Sequence, residues 1–415
     1  MSANARLDKG IAITVLLCVA AEFAAFAGLV AFDVARGDKL LRAIEHRARM
    51  HPLVPKVVVL LGAFDPIAGQ RYDPDTKVGN VRINKFGFIA NGPDDASLRL
   101  FPRKAEGEIR IIMLGSSSLA GTLLRSDESH TIAAYLERSL NAHAPPGRRF
   151  SVLNFGINGG DSFSELRMFF AQAIYLDPDV VIALDGWIDA IEGAFNSERS
   201  GLRHGLVDWS EMSYRHNDLF NRIAAKREST PYVFTYLYLA LKEAGILGRE
   251  APDNRQERYE SMPWYRISGE IIADHQGLDF VLPRNVEAMA AYSAATGICF
   301  IGYLQPIADL ARMPNQEERD ALDDYHAAMA RAGKPYFARA TYTPAMTKAF
   351  SSYADAYRRL SEKYRGSRCT RFSDLTTTFE RTPERVYLDA THYNERGNEI
   401  IAARMAGDVR RIVLH

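Results

Sequence analysis

Residues Glu108–Gly121 read EIRIIMLGSSSLAG. A β-branched apolar run stops abruptly at Gly115-Ser116-Ser117-Ser118, the pattern of a buried strand running into a tight turn. The pattern recurs downstream. Phe150–Asn154 forms a second run that ends at Gly156-Ile157-Asn158-Gly159-Gly160, where Asp161 or Ser162 can cap a helix. A third strand, Val180–Leu184, is introduced by Asp177-Pro178-Asp179, a fourth spans Ile298–Leu304, and a fifth ends at Asp374. Helical stretches alternate with them: from about Ser129, with Thr131, Ala134, Leu136 and Leu140 on one face, then around Asn285–Ala295, and from near Glu395. Strands alternating with helices predict an α/β domain on a central parallel sheet. Turns after such strands converge at their carboxyl ends, where ligands bind.

The chain has 415 residues, enough for one large α/β domain with appendages. Its division is read as 1–35, an N-terminal anchor; 36–105, a connecting segment of mixed helix and loop packed on the next domain; and 106–415, the α/β domain. Stretches at about 196–275 and 314–366 interrupt the alternation. The first is rich in aromatic and charged residues, the second is amphipathic helix, and both are candidates for a lid or substrate groove. Trp209, Tyr214, Tyr232, Tyr236, Tyr238, Trp264 and Tyr265 could stack on sugars, although ordinary packing of a helical subdomain explains them better. The 51 basic and 51 acidic residues balance, which argues against nucleic acid as a partner.

Residues Gly10–Phe32 are apolar apart from Thr14 and Glu22, and as a helix they would span roughly 34 Å at about 1.5 Å per residue. Glu22 costs about 3 kcal/mol on insertion, which the apolar neighbours offset. A transmembrane anchor competes with a signal peptide cleaved near Ala25-Phe26-Ala27; the run continues past that site, which favours the anchor. Arg6 and Lys9 precede the span, whereas Arg36, Lys39, Arg42, Arg47 and Arg49 follow it. That charge count alone would leave the body cytoplasmic, although long C-terminal domains translocate regardless of it. Cys18, Cys299 and Cys369 have no metal-ligand spacing. Cys299 and Cys369 pair only if the fold brings them together, and burial preferences favour Cys299 as a small buried hydrophobe.

Ser117 sits where a hydroxyl can be presented beside free backbone N–H groups. For an isolated turn of this kind a capping serine is the commoner explanation. Asp389-Ala390-Thr391-His392, within VYLDATHYNERGNEIIA, changes the weighing. A serine hydroxyl needs a positioned base, histidine has the suitable pKa, and a carboxylate can hold the imidazole in the right tautomer. Separately, Asp389 and His392 would pass as a cap and a surface histidine; together with Ser117 they make a triad.

These blocks, in this order, resemble the SGNH (GDSL-like) hydrolases. LGSSSLAG is similar to the first block and implies Ser117 as nucleophile. NFGING resembles the second, implying that the Gly159 N–H joins that of Ser117 in the oxyanion hole. DATH resembles the fifth and assigns Asp389 and His392. VRINKFGF at 81–88 and LQP at 304–306 resemble further recurrent segments, so the likeness runs from about residue 80 to the end with gaps at both insertions. It implies a three-layer, flavodoxin-like fold, an ester substrate, and no metal or cofactor. The third block departs from the pattern: in Asp185-Gly186-Trp187-Ile188-Asp189, Ile188 stands where the family carries an oxyanion-binding Asn. One lost donor costs about 10²- to 10³-fold in rate. Either Asn158 or Asn154 substitutes, or the enzyme is slow, or the site has turned to binding.

The expected function is therefore ester hydrolysis through an acyl-enzyme on an O-acylated envelope glycan or lipid, by a domain anchored on the extracytoplasmic side. The alternatives are an acyltransferase with a sugar hydroxyl as acceptor, and a binding protein that has kept the fold. Asp185 and Asp189 read as strand-end caps or as extra acid/base groups.

Overall fold

A computed structural model describes residues 20–21, 24–31, 63–65, 69–72, 74–92, 103–195, 281–311, 316–331 and 337–413. The insertion at 196–275 lies outside the described residues, as does most of the apolar run from Gly10 to Phe32. No helix among the described residues is long and apolar enough to cross a membrane. The chain divides into two compact units, residues 1–57 with 211–261 and residues 58–210 with 262–415. Of the first, residues 24–31 are helical, and Ala25 and Leu29 are buried with Phe26 against them.

The second unit opens with two antiparallel hairpins, β1 (Ala63–Asp65) with β2 (Gly69–Arg71) and β3 (Lys77–Val78) with β4 (Val81–Arg82). The sequence reading of this stretch as helix and loop is thereby corrected: strands of two or three residues are too short to register a period of two. β5 (Glu108–Gly115) follows, then α1 (Ser117–Ala120), α2 (Ile132–Asn141), β6 (Arg149–Gly156), α3 (Ser162–Ala171), β7 (Val180–Asp185) and α4 (Trp187–Phe195). After the insertion come α5 (Val281–Thr296), β8 (Cys299–Leu304), α6 (Ala308–Ala311), α7 (Gln316–Arg331), α8 (Arg339–Lys363), β9 (Thr370–Asp374) and α9 (Glu395–Val413). The helix anticipated from about Ser129 begins at Ile132, because a short 3₁₀ turn at Glu128–His130 precedes it and Thr131 caps it by accepting from the Ala134 N–H.

The five long strands form one parallel sheet in the order β6-β5-β7-β8-β9. Every residue of β5, β7 and β8 is buried, as expected for strands covered on both faces. Side chains alternate between the two cores. Ile112, Leu114, Val181 and Phe300 face α3, α5 and α8, whereas Ile111, Met113, Ile182 and Ile301 face α2 and α9. The edge strand β6 is closed by Ile89, whose N–H donates to the Asn154 carbonyl. Of these five, the first in chain order, β5, lies inside the sheet, with β6 on one side of it and β7 on the other. The direction of winding therefore reverses between β5 and β7, and a crevice opens at their carboxyl ends.

Parallel pairing of β8 with β9 sets Cys299 opposite Cys369, with Cα atoms 4.4 Å apart, and the two form a disulfide. This corrects the expectation of a free buried thiol: a sequence separation of 70 conceals what adjacent strand starts bring together.

Candidate active site

Ser117 is the first residue of α1, directly beyond β5. The turn is held by the Ser116 carbonyl, which accepts from the Leu119 and Ala120 N–H groups, and it closes at Gly121 in the left-handed region. At the first position the Ser117 N–H has no intrahelical acceptor. A close approach fixes the neighbouring loop: a Cβ on Gly156 would come 2.5 Å from the Ala120 nitrogen, so only glycine lets β6 end against α1. The chain then turns at Gly159, φ 72°, which is exposed and faces open space.

His392 lies on the tight loop between the bridged residues Tyr387 and Tyr393, closed by the Leu388 N–H donating to the His392 carbonyl. Asp389 organises that loop. Its Oδ1 accepts from the backbone N–H groups of Thr391 and His392, each at 2.9 Å, and His392 Nδ1 lies 2.8 Å from both carboxylate oxygens. With the Nδ1 proton directed at the carboxylate, Nε2 carries a lone pair, and it lies 2.7 Å from Ser117 Oγ. Burial would raise the Asp389 carboxyl; the His392 ring beside it and the hydrogen bonds from His392 and Thr391 overcome burial and hold it below the usual carboxylate range. The fold thus brings Ser117, His392 and Asp389 into one chain of contacts, and the chemistry available to such a chain is transfer of the serine proton to the imidazole.

Two features were not evident in the sequence. The Asn158 N–H donates to the buried Tyr72 hydroxyl at 2.9 Å, so the hairpin region holds the Gly159 turn in place. In addition, Ser118 Oγ donates to the Thr391 carbonyl at 3.1 Å and lies 3.2 Å from Thr391 Oγ1, joining the nucleophile turn to the Asp389–His392 loop. Neither partnership has a sequence signal, since the residues are 86 and 273 positions apart.

Ile188 is half-buried in the first turn of α4, packs against the core and offers no donor. Of the two candidate substitutes, Asn154 is committed: its Nδ2 donates to the Leu119 carbonyl and its Oδ1 accepts from the Gly156 N–H. Asn158 Oδ1 accepts from Thr122 Oγ1, while its buried Nδ2 has no partner among the described residues.

Behind these loops lie four buried carboxyl groups. Asp161 caps α3 through the Ser164 N–H, and Asp189 accepts from the Ser162 N–H and hydroxyl. Asp185, at the end of β7, caps no helix and instead meets Glu165. Burial and then the neighbouring Asp185 charge push Glu165 well above the usual carboxylate range. Burial raises Asp185 to about 7 although the adjacent Glu165 opposes the rise, with Asp161 adding to it. Burial and Asp161 likewise push Asp189 well up.

Fold and site together define a parallel α/β protein with a Ser–His–Asp constellation at the crevice where the winding reverses. No protein-family model and no curated protein matches the chain. Among solved structures it is similar to an acetylxylan esterase from Geobacillus stearothermophilus, in a catalytic-mutant form, at 12% identity and TM-score 0.37, covering 75% of this chain and 98% of that one. A GDSL-like lipase from Bacteroides thetaiotaomicron aligns at 13% identity and TM-score 0.36, covering 77% and 95%. A lipase/acylhydrolase from Enterococcus faecalis aligns at 13% identity and TM-score 0.37, covering 73% and 95%.

Proposed function

We propose that this chain is a serine esterase of the SGNH type that works through an acyl-enzyme at Ser117. The observation that carries the reading is the unbroken run of contacts from Asp389 through His392 to Ser117 Oγ at 2.8 and 2.7 Å. His392 Nε2 takes the hydroxyl proton as Oγ bonds to the ester carbonyl carbon, and Asp389 stabilises the imidazolium that forms. The tetrahedral oxyanion is held by the N–H groups of Ser117 and Gly159. Its collapse breaks the bond to the alkoxy group, which leaves as the alcohol with the proton from His392. Water then gives a proton to His392 and attacks the acyl carbon; the acid departs and the proton returns to Ser117.

The substrate class follows from the sequence resemblance and the apolar Gly10–Phe32 run: an O-acyl group on an envelope glycan or lipid, reached by a domain anchored at its N-terminus. The Cys299–Cys369 disulfide favours an oxidising, extracytoplasmic setting, against the charge count around the apolar run. If a sugar hydroxyl replaces water in the second step, the same groups perform acyl transfer. Ile188 favours a second reading, a catalytically weak binding protein, because it removes one donor.

The test uses the full chain with 4-nitrophenyl acetate. Hydrolysis that disappears in Ser117→Ala, together with labelling of Ser117 by a fluorophosphonate, is the expected result. A folded chain that neither hydrolyses the ester nor takes the label would refute the esterase reading and favour binding.

A further inference from the structure

We infer that Gln305 is the positioning residue that sets the register between the nucleophile turn and the acid–base loop; this rests on the esterase reading above. Gln305 directly follows β8 and is fully buried, and its N–H donates to the Asp185 carbonyl at 2.8 Å, continuing the β7–β8 pairing by one step. Its carboxamide reaches three segments. Nε2 donates to Thr391 Oγ1 at 2.6 Å and lies 3.4 Å from Ser118 Oγ, while Oε1 accepts from the Trp187 N–H at 3.4 Å. Thr391 adjoins His392, Ser118 adjoins Ser117, and Trp187 opens the helix that carries Ile188.

The chemistry of the position calls for an amide. Ser118 Oγ spends its proton on the Thr391 carbonyl, which leaves the Thr391 hydroxyl to donate to Ser118 Oγ and to accept at its own oxygen. A donor is therefore needed on one side of residue 305 and an acceptor on the other, among groups that are all buried. Glutamine supplies both from one rigid group. A carboxylate of the same shape has no donor, and an isosteric apolar chain has neither. The segment after Gln305 reinforces the arrangement: the Tyr393 hydroxyl donates to the Pro306 carbonyl at 2.6 Å, and the Ala308 N–H donates to the Ala390 carbonyl at 3.0 Å. The end of β8 is thus the frame on which the Asp389–His392 loop hangs, and Gln305 is the point where that frame also grips α1.

A misplacement of about 1 Å between reacting groups can cost about 10²-fold in rate. Gln305 touches neither Ser117 nor His392, so its loss acts on kcat and leaves KM and the chemistry of the first contacts in place. The test measures kcat and KM for 4-nitrophenyl acetate, the rate of fluorophosphonate labelling of Ser117, and Tm, in the full chain with Gln305→Met, Gln305→Glu, Thr391→Val and the Gln305→Met/Thr391→Val pair. The expected result is a fall in kcat of about 10²-fold for Gln305→Met with KM unchanged and labelling slowed in parallel. Thr391→Val should fall similarly, and the pair no further than the worse single variant. A Gln305→Met protein with kcat within about threefold of the unmodified chain would overturn the inference and leave the esterase reading standing. Losses that multiply in the pair would also overturn it, since independent structural damage adds in free energy. If Gln305→Met does not fold, Thr391→Val decides alone: full kcat there removes the link. An unmodified chain that is inert and unlabelled brings down the esterase reading itself.

Discussion

Replacing Asp389 with asparagine separates the proton chemistry of the site from its architecture. The carboxylate has two tasks: Oδ1 holds the Thr391 and His392 N–H groups, and both oxygens face His392 Nδ1. An asparagine oxygen can keep the two backbone contacts, so the loop retains its shape. The amide NH₂ then stands where Oδ2 lay, 2.8 Å from Nδ1. Two donors repel each other, and although Oδ1 lies equally near Nδ1 it already accepts from two backbone N–H groups, so the ring favours a lone pair on Nδ1 and its proton on Nε2. That nitrogen is 2.7 Å from Ser117 Oγ, and in this tautomer it cannot take the serine proton. The loss expected for a triad with the wrong tautomer is about 10⁴-fold in kcat, or about 5.5 kcal/mol of barrier.

The assay is initial-rate hydrolysis of 4-nitrophenyl acetate by the full chain and by Asp389→Asn, beside the rate of Ser117 labelling by a fluorophosphonate, with thermal unfolding as the control for folding. Stability carries a sign that can be checked independently. The native carboxyl of Asp389 titrates lower than in the unfolded chain, so its contribution is present above about pH 4 and is lost as pH falls through the native value. The asparagine variant lacks that contribution, so its stability should fall less steeply on the acid side. A variant within about tenfold of the unmodified rate would refute the argument, because His392 would then be acting without the partner that fixes its tautomer.

Ile188→Asn should raise kcat by about 10-fold or more if the absent donor limits the rate, since one oxyanion donor is worth about 10²- to 10³-fold; an unchanged rate would mean that another group, with Asn158 the uncommitted one, already occupies that role. Glu165→Gln should stabilise the protein at pH 8 but not at pH 4. Burial and the neighbouring Asp185 hold Glu165 well above the usual carboxylate range, so the native chain keeps a proton that the unfolded chain releases above about pH 4, and stability falls as pH rises above that value. A glutamine at 165 removes that proton linkage, and equal unfolding curves for the two proteins at pH 8 would remove the argument. Reducing the Cys299–Cys369 bond, which closes 70 residues, should destabilise the chain by about 4 kcal/mol on a loop-entropy estimate. Alkylation and intact mass with and without reductant, followed by Tm, test it; free thiols in protein isolated without reductant would count against the pairing.

What the sequence made legible and what it hid divide along a physical line. Strands β5, β6 and β7 were readable because each holds an apolar run stopped by glycine, and Ser117, His392 and Asp389 were nameable because their residue types answer to a single chemistry. The parts that hold them in place were not. Tyr72 sits in a stretch whose strands are too short to show a period, Gln305 looks like any polar residue after a strand, and Ser118 differs from its neighbours only in where the backbone turns it. Each earns its place through a partner between 86 and 273 residues away, and no local pattern encodes such a distance. Asp185 and Asp189 show the same limit from the other side. As sequence they read equally as caps or as acid/base groups. The structure separates them, leaving Asp189 to hold the start of α3 through Ser162 and Asp185 buried beside Glu165, where desolvation opposes charge on both. Charge on that pair is opposed by the same desolvation that keeps it beneath the loops, so the region around Gly159 and Ile188 should be firmest when the pair is protonated. The Ser117–His392 step, by contrast, needs a neutral imidazole. An activity that falls on the alkaline side would therefore report on these buried carboxyl groups, whose charged forms burial opposes, rather than on the imidazole.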